Sequence, residues 1–419
     1  MKHNIEAIVK SCQASSKIIA QLSNSDKNDI LYSIAKHLKS NSAEIIKKNK
    51  LDMENAERNE LSDAMKDRLL LDQERIGKMA TAVEEIAELD DPVGIIGEYK
   101  QRPSGIKVAR MSIPLGVIAM IYESRPNVTS DAAALCLKAG NAIVLRGGSE
   151  AFNSNKAIAN AIKMALKEND VPPEIVTLIP TTDREAVDEL LTLNQYIDLL
   201  IPRGGEGLIR YVDDNSRIPV IKHFKGVCHL YVDKYADLDK ALKLLIDGKV
   251  SRTGVCNSLE TLLVHEEVAE DFLKIVMDSV YLRDVIYHGC EKTRKLMPDI
   301  EPATEEDYHT EYLAKEISVK ILDSQEEAIG HIQKYGSDHT DVIATESIDR
   351  AGEFLKRVNS SVVMVNASSR FSDGGEFGLG AEIGISTTKL HAYGPMGVES
   401  LTTKKFVVMG KGSTRHNIV

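Results

Sequence analysis

Apolar residues recur at helical spacing over about the first 90 positions: Ile19, Leu22, Ile30, Leu31, Ile34 and Leu38 stand with Lys, Glu and Asp between them. The pattern predicts helices up to Asp90-Asp91-Pro92, where two acids and a proline stop the run. Next comes GEYKQRPSGIKVARMSIPLG, strand-like and polar around Arg102-Pro103-Ser104-Gly105. It reads either as an extended hairpin or as a surface loop. As a hairpin, it would have exposed edges that invite pairing with another subunit.

From Pro114 the texture changes to strands alternating with helices. Strands are predicted at 117–122, 142–146, 175–179 and 197–201, and helices at 130–138, 154–168 and 184–193. Such repeats imply right-handed crossovers and a parallel sheet. Ligands of such sheets sit at the carboxyl ends of the strands, which here carry YESRPN, LRGGSE, IPTTD and IPRGGEG. A second α/β stretch, 226–366, contains HLYVD, TLLVH, an alternating run at 317–322, DVIAT and SVVMVN. The glycine-rich stretch FSDGGEFGLGAEIGISTTKLHAYGPMG follows, and a last strand is predicted at 405–409.

A chain of 419 residues, 43% hydrophobic and 27% charged, exceeds what one hydrophobic core organises, so two or more domains are expected. The net charge of -11 argues against a broad nucleic-acid surface, although 52 Lys and Arg leave room for local basic pockets. The five cysteines, Cys12, Cys136, Cys228, Cys256 and Cys290, form no C-x-x-C pair and have no His cluster at metal spacing. They read as free thiols in a reducing compartment, with no metal site and no disulfide frame. The first residues lack a signal-peptide core, and apolar runs such as VGIIG and LGVIAMIY are too short to span a bilayer. The expectation is a soluble cytoplasmic protein without a membrane association.

Three segments carry candidate chemistry. In SRTGVCNSLETLLVHE, Cys256 lies between a helical pattern and a strand, beside Arg252, Thr253, Gly254 and Asn257. A thiol near a cation or a helix start has a lowered pKa and becomes a nucleophile. The competing reading is a small buried hydrophobe, which suits Cys136 in AAALCLKAG. In IPRGGEGLIRYV, Gly204, Gly205 and Gly207 follow a strand and open a helix, offering backbone N–H groups to an anion or serving merely as a turn. The turn at Arg146–Ser149 is similar, with the Arg146 charge suited to phosphate. In RFSDGGEFG and the residues before it, Asn366, Ser368, Ser369 and Arg370 suit recognition of a small zwitterion, or form a surface turn.

Taken in order, IPLGVIAMIYESRPNVTSDAAALCLKAGNAIVLRGGSEA, DLLIPRGGEGLIRYV, PVIKHFKGVCHLYVD, SRTGVCNSLETLLVHE, HTEYL, YGSDHTDVIATE and VNASSRFSDGGEFGLGAEIGIST closely resemble the gamma-glutamyl phosphate reductases. These form a family of the aldehyde dehydrogenase superfamily that serves proline biosynthesis. The resemblance covers about residues 92 to 400. It implies an aldehyde dehydrogenase-like α/β fold: a parallel-sheet cofactor-binding domain (1–96 and 114–225), an α/β catalytic domain (226–392) and a β-hairpin oligomerisation arm (97–113 and 393–419). It also implies NADPH-dependent reduction of L-glutamyl 5-phosphate to the semialdehyde, with Cys256 carrying the glutamyl group as a thioester. The Cys256 N–H and Asn127 are the implied oxyanion donors. A homo-oligomer is implied, and the resemblance leaves room for association with glutamate 5-kinase.

Two departures from the wider superfamily carry information. Where hydrolytic members have a water-activating glutamate, KHFKGV places His223, so the thioester is expected to exchange with phosphate and not with water. His223, Lys222 and Lys225 are then candidates for the phosphate. Where NAD-preferring members carry an acid against the ribose, LRGGSE places Ser149, with Arg146 near, which favours NADPH. The expected cofactor-binding residues are Arg146, Gly147, Ser149, Pro202, Arg203, Gly204 and Gly205. Arg125, Ser368, Ser369 and Arg370 are expected at the amino-acid end of the substrate, where Arg can fork onto a carboxylate and Asp373 or Glu376 can face the ammonium. The alternatives are a CoA-acylating aldehyde dehydrogenase and, in another class, a non-catalytic nucleotide-binding protein.

Overall fold

The computed structural model describes residues 4–222 and 224–416, which fall into two compact units. The first holds 4–222, 379–384 and 396–416, and the second 224–378 and 385–395.

The first unit opens with five helices, α1 (Ile5–Ile19), α2 (Asn24–Ser40), α3 (Ser42–Arg58), α4 (Asp63–Leu69) and α5 (Gln73–Glu88). All but α3 are capped at the start by a side chain. Asn4 Oδ1 accepts from Ala7 N at 2.9 Å. At α2, Ser23 and Asp26 bond reciprocally to each other's backbone N–H. A two-residue strand, β1 (Lys100–Gln101), and an eight-residue strand, β2 (Lys107–Pro114), follow as an antiparallel pair. The alternating part is β3 (Val117–Tyr122), α6 (Val128–Lys138), β4 (Ala142–Gly147), α7 (Phe152–Glu168), β5 (Val176–Leu178), α8 (Arg184–Leu191), β6 (Leu199–Arg203) and α9 (Glu206–Asn215). Its four strands are parallel, in the order β5-β4-β3-β6, and every residue of β3 is buried. The order reverses at β3, which opens a crevice at the carboxyl ends beside it.

The fourth strand runs two residues further than the pattern predicts and includes Pro202. A proline has no N–H for a ladder, but β6 is the outermost strand of this sheet, where that loss is tolerated.

The second unit comprises β7 (Cys228–Val232), α10 (Leu238–Val250), β8 (Leu259–His265), α11 (Glu266–Asp278), β9 (Ile286–Gly289), α12 (Glu291–Leu296), β10 (Glu301–Pro302), β11 (Glu316–Leu322), α13 (Gln325–Tyr335), β12 (Thr340–Ala344), α14 (Ile348–Arg357) and β13 (Val362–Val365). Its strands form one parallel sheet, β10-β9-β11-β8-β7-β12-β13. Strands β7, β8 and β12 are buried end to end, as strands in the middle of a parallel sheet are, and they bury His229, Glu260 and Asp341 along with their apolar residues. The short strands β14 (Gly384–Ser386) and β15 (Gly394–Met396) pair with each other. The last strand, β16 (Thr402–Met409), runs antiparallel to β2 over its full eight residues. No helix among the described residues is long and apolar enough to cross a membrane.

Candidate active site

In the second unit, Cys256 stands on the loop between α10 and β8, at the amino end of the sheet. It is partly exposed, whereas Cys12, Cys136 and Cys228 are buried. A turn from the Val255 carbonyl to the Ser258 N–H, 3.1 Å, puts Cys256 and Asn257 at its two central positions.

Several groups fix that turn. The Cys228 thiol, on the first residue of β7, donates to the Cys256 carbonyl oxygen at 3.2 Å. Gly226 lies so close that a Cβ there would overlap the same carbonyl, so only glycine fits. The Gly226 N–H donates to Glu311 at 2.9 Å, which joins the KHFKGV segment to the HTEYL segment. From the other side, the Ser369 hydroxyl donates to the Asn257 carbonyl at 2.7 Å, and the Asn257 side chain donates to the Ser372 carbonyl at 3.0 Å. Ser368 accepts from the Arg370 N–H at 3.2 Å. Cys256, Ser368, Ser369 and Arg370 are therefore brought together through Asn257. Ser368 and Ser369 are buried, while Arg370 is partly exposed.

An ion pair closes the loop at its base. Lys249, at the end of α10, and Glu260, near the start of β8, meet at 2.7 Å with both side chains fully buried. Desolvation raises the Glu260 carboxyl above, and lowers the Lys249 ammonium below, its ordinary range. His223 lies outside the described residues.

The first unit gathers the other expected residues at the carboxyl ends of its sheet. The four strand-end loops are laced together. The Arg146 guanidinium donates to the Thr182 carbonyl at 2.7 Å, the Ser124 hydroxyl to Glu150 at 3.1 Å, and the Gly205 N–H to Glu123 at 3.1 Å. Ser124 has φ of 46°, a left-handed backbone held by its N–H and hydroxyl, both bound to Glu150. Gly147 packs where a Cβ would overlap the Asn155 amide. Asn127 precedes α6 and donates to Asp131 at 2.8 Å, and Arg125 begins the turn leading into that helix. Burial pushes the Asp131 carboxyl up to about 6, against the bonds from Asn127 and Ser130 that lower it. Pro202 and Arg203 end β6, and Arg203 lies 3.9 Å from Glu382.

This face suits an anionic cofactor in two respects. Arg146 Nε is buried with no hydrogen-bond partner among the described residues. A Cβ at Gly205 or Gly207 would meet nothing, so the start of α9 is open. One feature opposes an anion there: the Glu123 carboxylate already takes the Gly205 N–H, and the absent Cβ of Gly204 is what lets it in. Periodicity and spacing gave no sign of Glu123, Gly226, Cys228 or the Lys249–Glu260 pair. Their partners are set by the fold: those of Glu123, Gly226 and Cys228 lie 28 to 85 positions away, and Lys249 and Glu260 meet only because α10 and β8 pack side by side.

The chain is similar to known proteins along its whole length. Residues 1–285 match the aldehyde dehydrogenase family. The gamma-glutamyl phosphate reductase of Salinibacter ruber is 56% identical over 415 residues, 99% of this chain and 95% of that one. The crystal structure of gamma-glutamyl phosphate reductase from Thermotoga maritima is similar with a TM-score of 0.96, at 44% identity, covering 99% of this chain and 100% of that one. A glyceraldehyde-3-phosphate dehydrogenase from Methanocaldococcus jannaschii, complexed with NADP, shares the fold at 19% identity and a TM-score of 0.66, over 97% of this chain and 94% of that one.

Proposed function

This chain belongs to the gamma-glutamyl phosphate reductases of the aldehyde dehydrogenase superfamily and reduces L-glutamyl 5-phosphate to L-glutamate 5-semialdehyde in proline biosynthesis; we propose that it does so with NADPH, through a thioester on Cys256. The observation that carries the thioester is the partly exposed Cys256 on a turn braced at both of its carbonyls. A braced turn holds the sulfur still for attack on the face of the acyl carbonyl, and holding reacting atoms in place lowers the barrier.

Cys256 Sγ, as the thiolate, adds to the acyl carbon, and the carbonyl π pair moves onto oxygen. Collapse restores the carbonyl, expels phosphate with the pair of the bridging bond, and leaves the glutamyl group on sulfur. The Cys256 N–H is one main-chain donor to that oxyanion. Asn127 keeps the role of second oxyanion donor, and Arg125 serves the amino-acid end of the substrate, where its guanidinium can fork onto the carboxylate. Ser368, Ser369 and Arg370 serve the amino-acid end of the substrate, the two serines as buried groups behind the turn. Lys222, His223 and Lys225 serve the phosphate, and no glutamate takes the place of a water-activating base in KHFKGV.

A nicotinamide cofactor is common to the superfamily; when bound, it supplies the two electrons and the hydrogen that take the thioester to the aldehyde. Arg146, Gly147, Ser149, Pro202, Arg203, Gly204 and Gly205 would hold it, a reading supported by the unpartnered Arg146 Nε and the open start of α9. Exposed Ser149 puts no negative charge against a 2'-phosphate, which favours NADPH over NADH. We further propose a cytoplasmic homo-oligomer, with β2 and β16 in its arm and a glutamate 5-kinase as a candidate partner.

The test is phosphate-dependent NADP reduction with glutamate 5-semialdehyde, on the wild type and on Cys256→Ala. Turnover is expected with phosphate and lost in the variant. Retained turnover without the thiol, or equal kcat/KM with CoA in place of phosphate, would overturn the reading. Equal kcat/KM with NAD would overturn the cofactor preference alone.

A further inference from the structure

The peptide bond that follows the nucleophile is held by groups with no part in the chemistry described above. The Cys228 thiol is fully buried and donates to the Cys256 carbonyl oxygen at 3.2 Å. Burial, and the charges of Asp341, Glu260 and Glu311, push that thiol well above its ordinary range, so it keeps its proton and acts as a donor. Gly226 admits the same carbonyl by having no Cβ. The next carbonyl, that of Asn257, is taken by Ser369 at 2.7 Å.

These contacts dictate the direction of an N–H group. No peptide bond among the described residues is cis. A trans peptide sets its C=O and N–H antiparallel, so turning the Cys256 carbonyl toward β7 turns the Asn257 N–H away from it. Among the described residues that N–H has no acceptor, although Asn257 is 5% exposed. Buried main-chain N–H groups without a partner are rare, and one directly after a nucleophile calls for a transient acceptor. Hydrolases whose nucleophile stands on a tight turn use the N–H of the following residue for the oxyanion.

The geometry points to the Asn257 main-chain N–H as a further donor to the oxyanion on the acyl group held by Cys256, with Cys228 as the positioning residue that aims it. Thiolate attack moves the carbonyl π pair onto oxygen, this N–H takes up part of the charge, and collapse returns the pair as phosphate leaves. The inference rests on Cys256 as the nucleophile and needs no residue outside its own unit.

Cys228→Ala, Cys228→Val and Cys228→Ser in the full chain test it, by phosphate-dependent oxidation of glutamate 5-semialdehyde and by iodoacetamide alkylation of Cys256. Mis-aiming one oxyanion donor is expected to lower kcat about tenfold or more in the Ala and Val variants. KM for phosphate and cofactor should stay within about twofold, and the alkylation rate should be unchanged. Serine, whose hydroxyl can donate to the same oxygen, should recover kcat to within about threefold of wild type. Wild-type kcat in both Ala and Val, or equal losses in Ser, Ala and Val, would overturn the proposal, since packing alone would then explain the thiol. A wild-type enzyme that forms no acyl adduct on Cys256 would instead overturn the nucleophile on which the proposal rests.

Discussion

Alanine at position 226 would drive a methyl group into the Cys256 carbonyl, so the turn must move or β7 must start elsewhere. Because β7 is held in a buried sheet and the turn is braced by Cys228 and Ser369, Gly226→Ala is expected to cost at least ~100-fold in kcat, in line with a misplacement of about 1 Å at the reacting centre. A circular dichroism spectrum matching wild type would show that the loss is local, and unimpaired turnover would refute the close approach. Asp131 offers a second test. Its folded carboxyl is pushed up to about 6 from an ordinary 3.8. Between those values the folded state keeps a proton that the unfolded chain has lost, so stability falls as pH rises from 4 to 6. With partial exposure discounted, the loss is on the order of 1–2 kcal/mol. Urea melts of wild type and Asp131→Asn across that range should show the slope in the first and not in the second. At this scale the sequence was unevenly legible. Cys256 stood out because its neighbours Arg252, Thr253 and Asn257 are polar, whereas Cys228 sits in a strand pattern where a cysteine reads as one more small apolar residue.

Strand-end loops decide how an anion meets the first unit. Glu123 has its carboxylate on the Gly205 N–H at the start of α9, where the helix dipole would otherwise receive a phosphate. A cofactor phosphate seated there must displace that carboxylate against like-charge repulsion. Glu123→Gln is therefore expected to lower KM for NADPH severalfold with kcat little changed, and an unchanged or raised KM would show that the phosphates bind elsewhere. The elements themselves were largely readable, since β3 is apolar throughout and β4, β7, β8 and β12 each contain an apolar run of three or more residues. Strands β9 and β10 were not, being four and two residues long and partly exposed, too short for any period to register. The rule that ligands gather at carboxyl strand ends found the loops of the first sheet. It has no bearing on Cys256, which stands at the amino end of the second, because a residue just before a strand and one just after it look alike in a linear pattern.

For the whole molecule, the chain order does not follow the division into units, since 379–384 and the C-terminal stretch return to the first. What sequence could suggest was two α/β stretches; the return depends on Gly380 packing on Leu89 and on the Asn141 side chain donating to the Leu401 carbonyl at 2.8 Å, neither of which leaves a local signature. The sheet of β2 and β16 leaves Phe406, Val408 and Met409 exposed, with Arg110 stacked over Phe406 at 4.6 Å. If this sheet forms the oligomer arm, Val408→Asp should lower the sedimentation mass without lowering the helical signal, and an unchanged mass would remove the arm from the interface.

The pairing of β2 with β16 also sets a timetable for synthesis. Arg110 and Lys404, hydrogen-bonded at 2.9 Å, stand 294 positions apart in the chain. At roughly 5–20 residues per second, β2 leaves the ribosome some 15–60 s before its partner exists. Throughout that interval a finished edge, with the apolar residues Val108 and Met111, is open to any other nascent strand. The newborn chain is thus most prone to clump late in translation, and a release of arrested chains ending just before Thr402 should yield aggregates that the full-length product avoids.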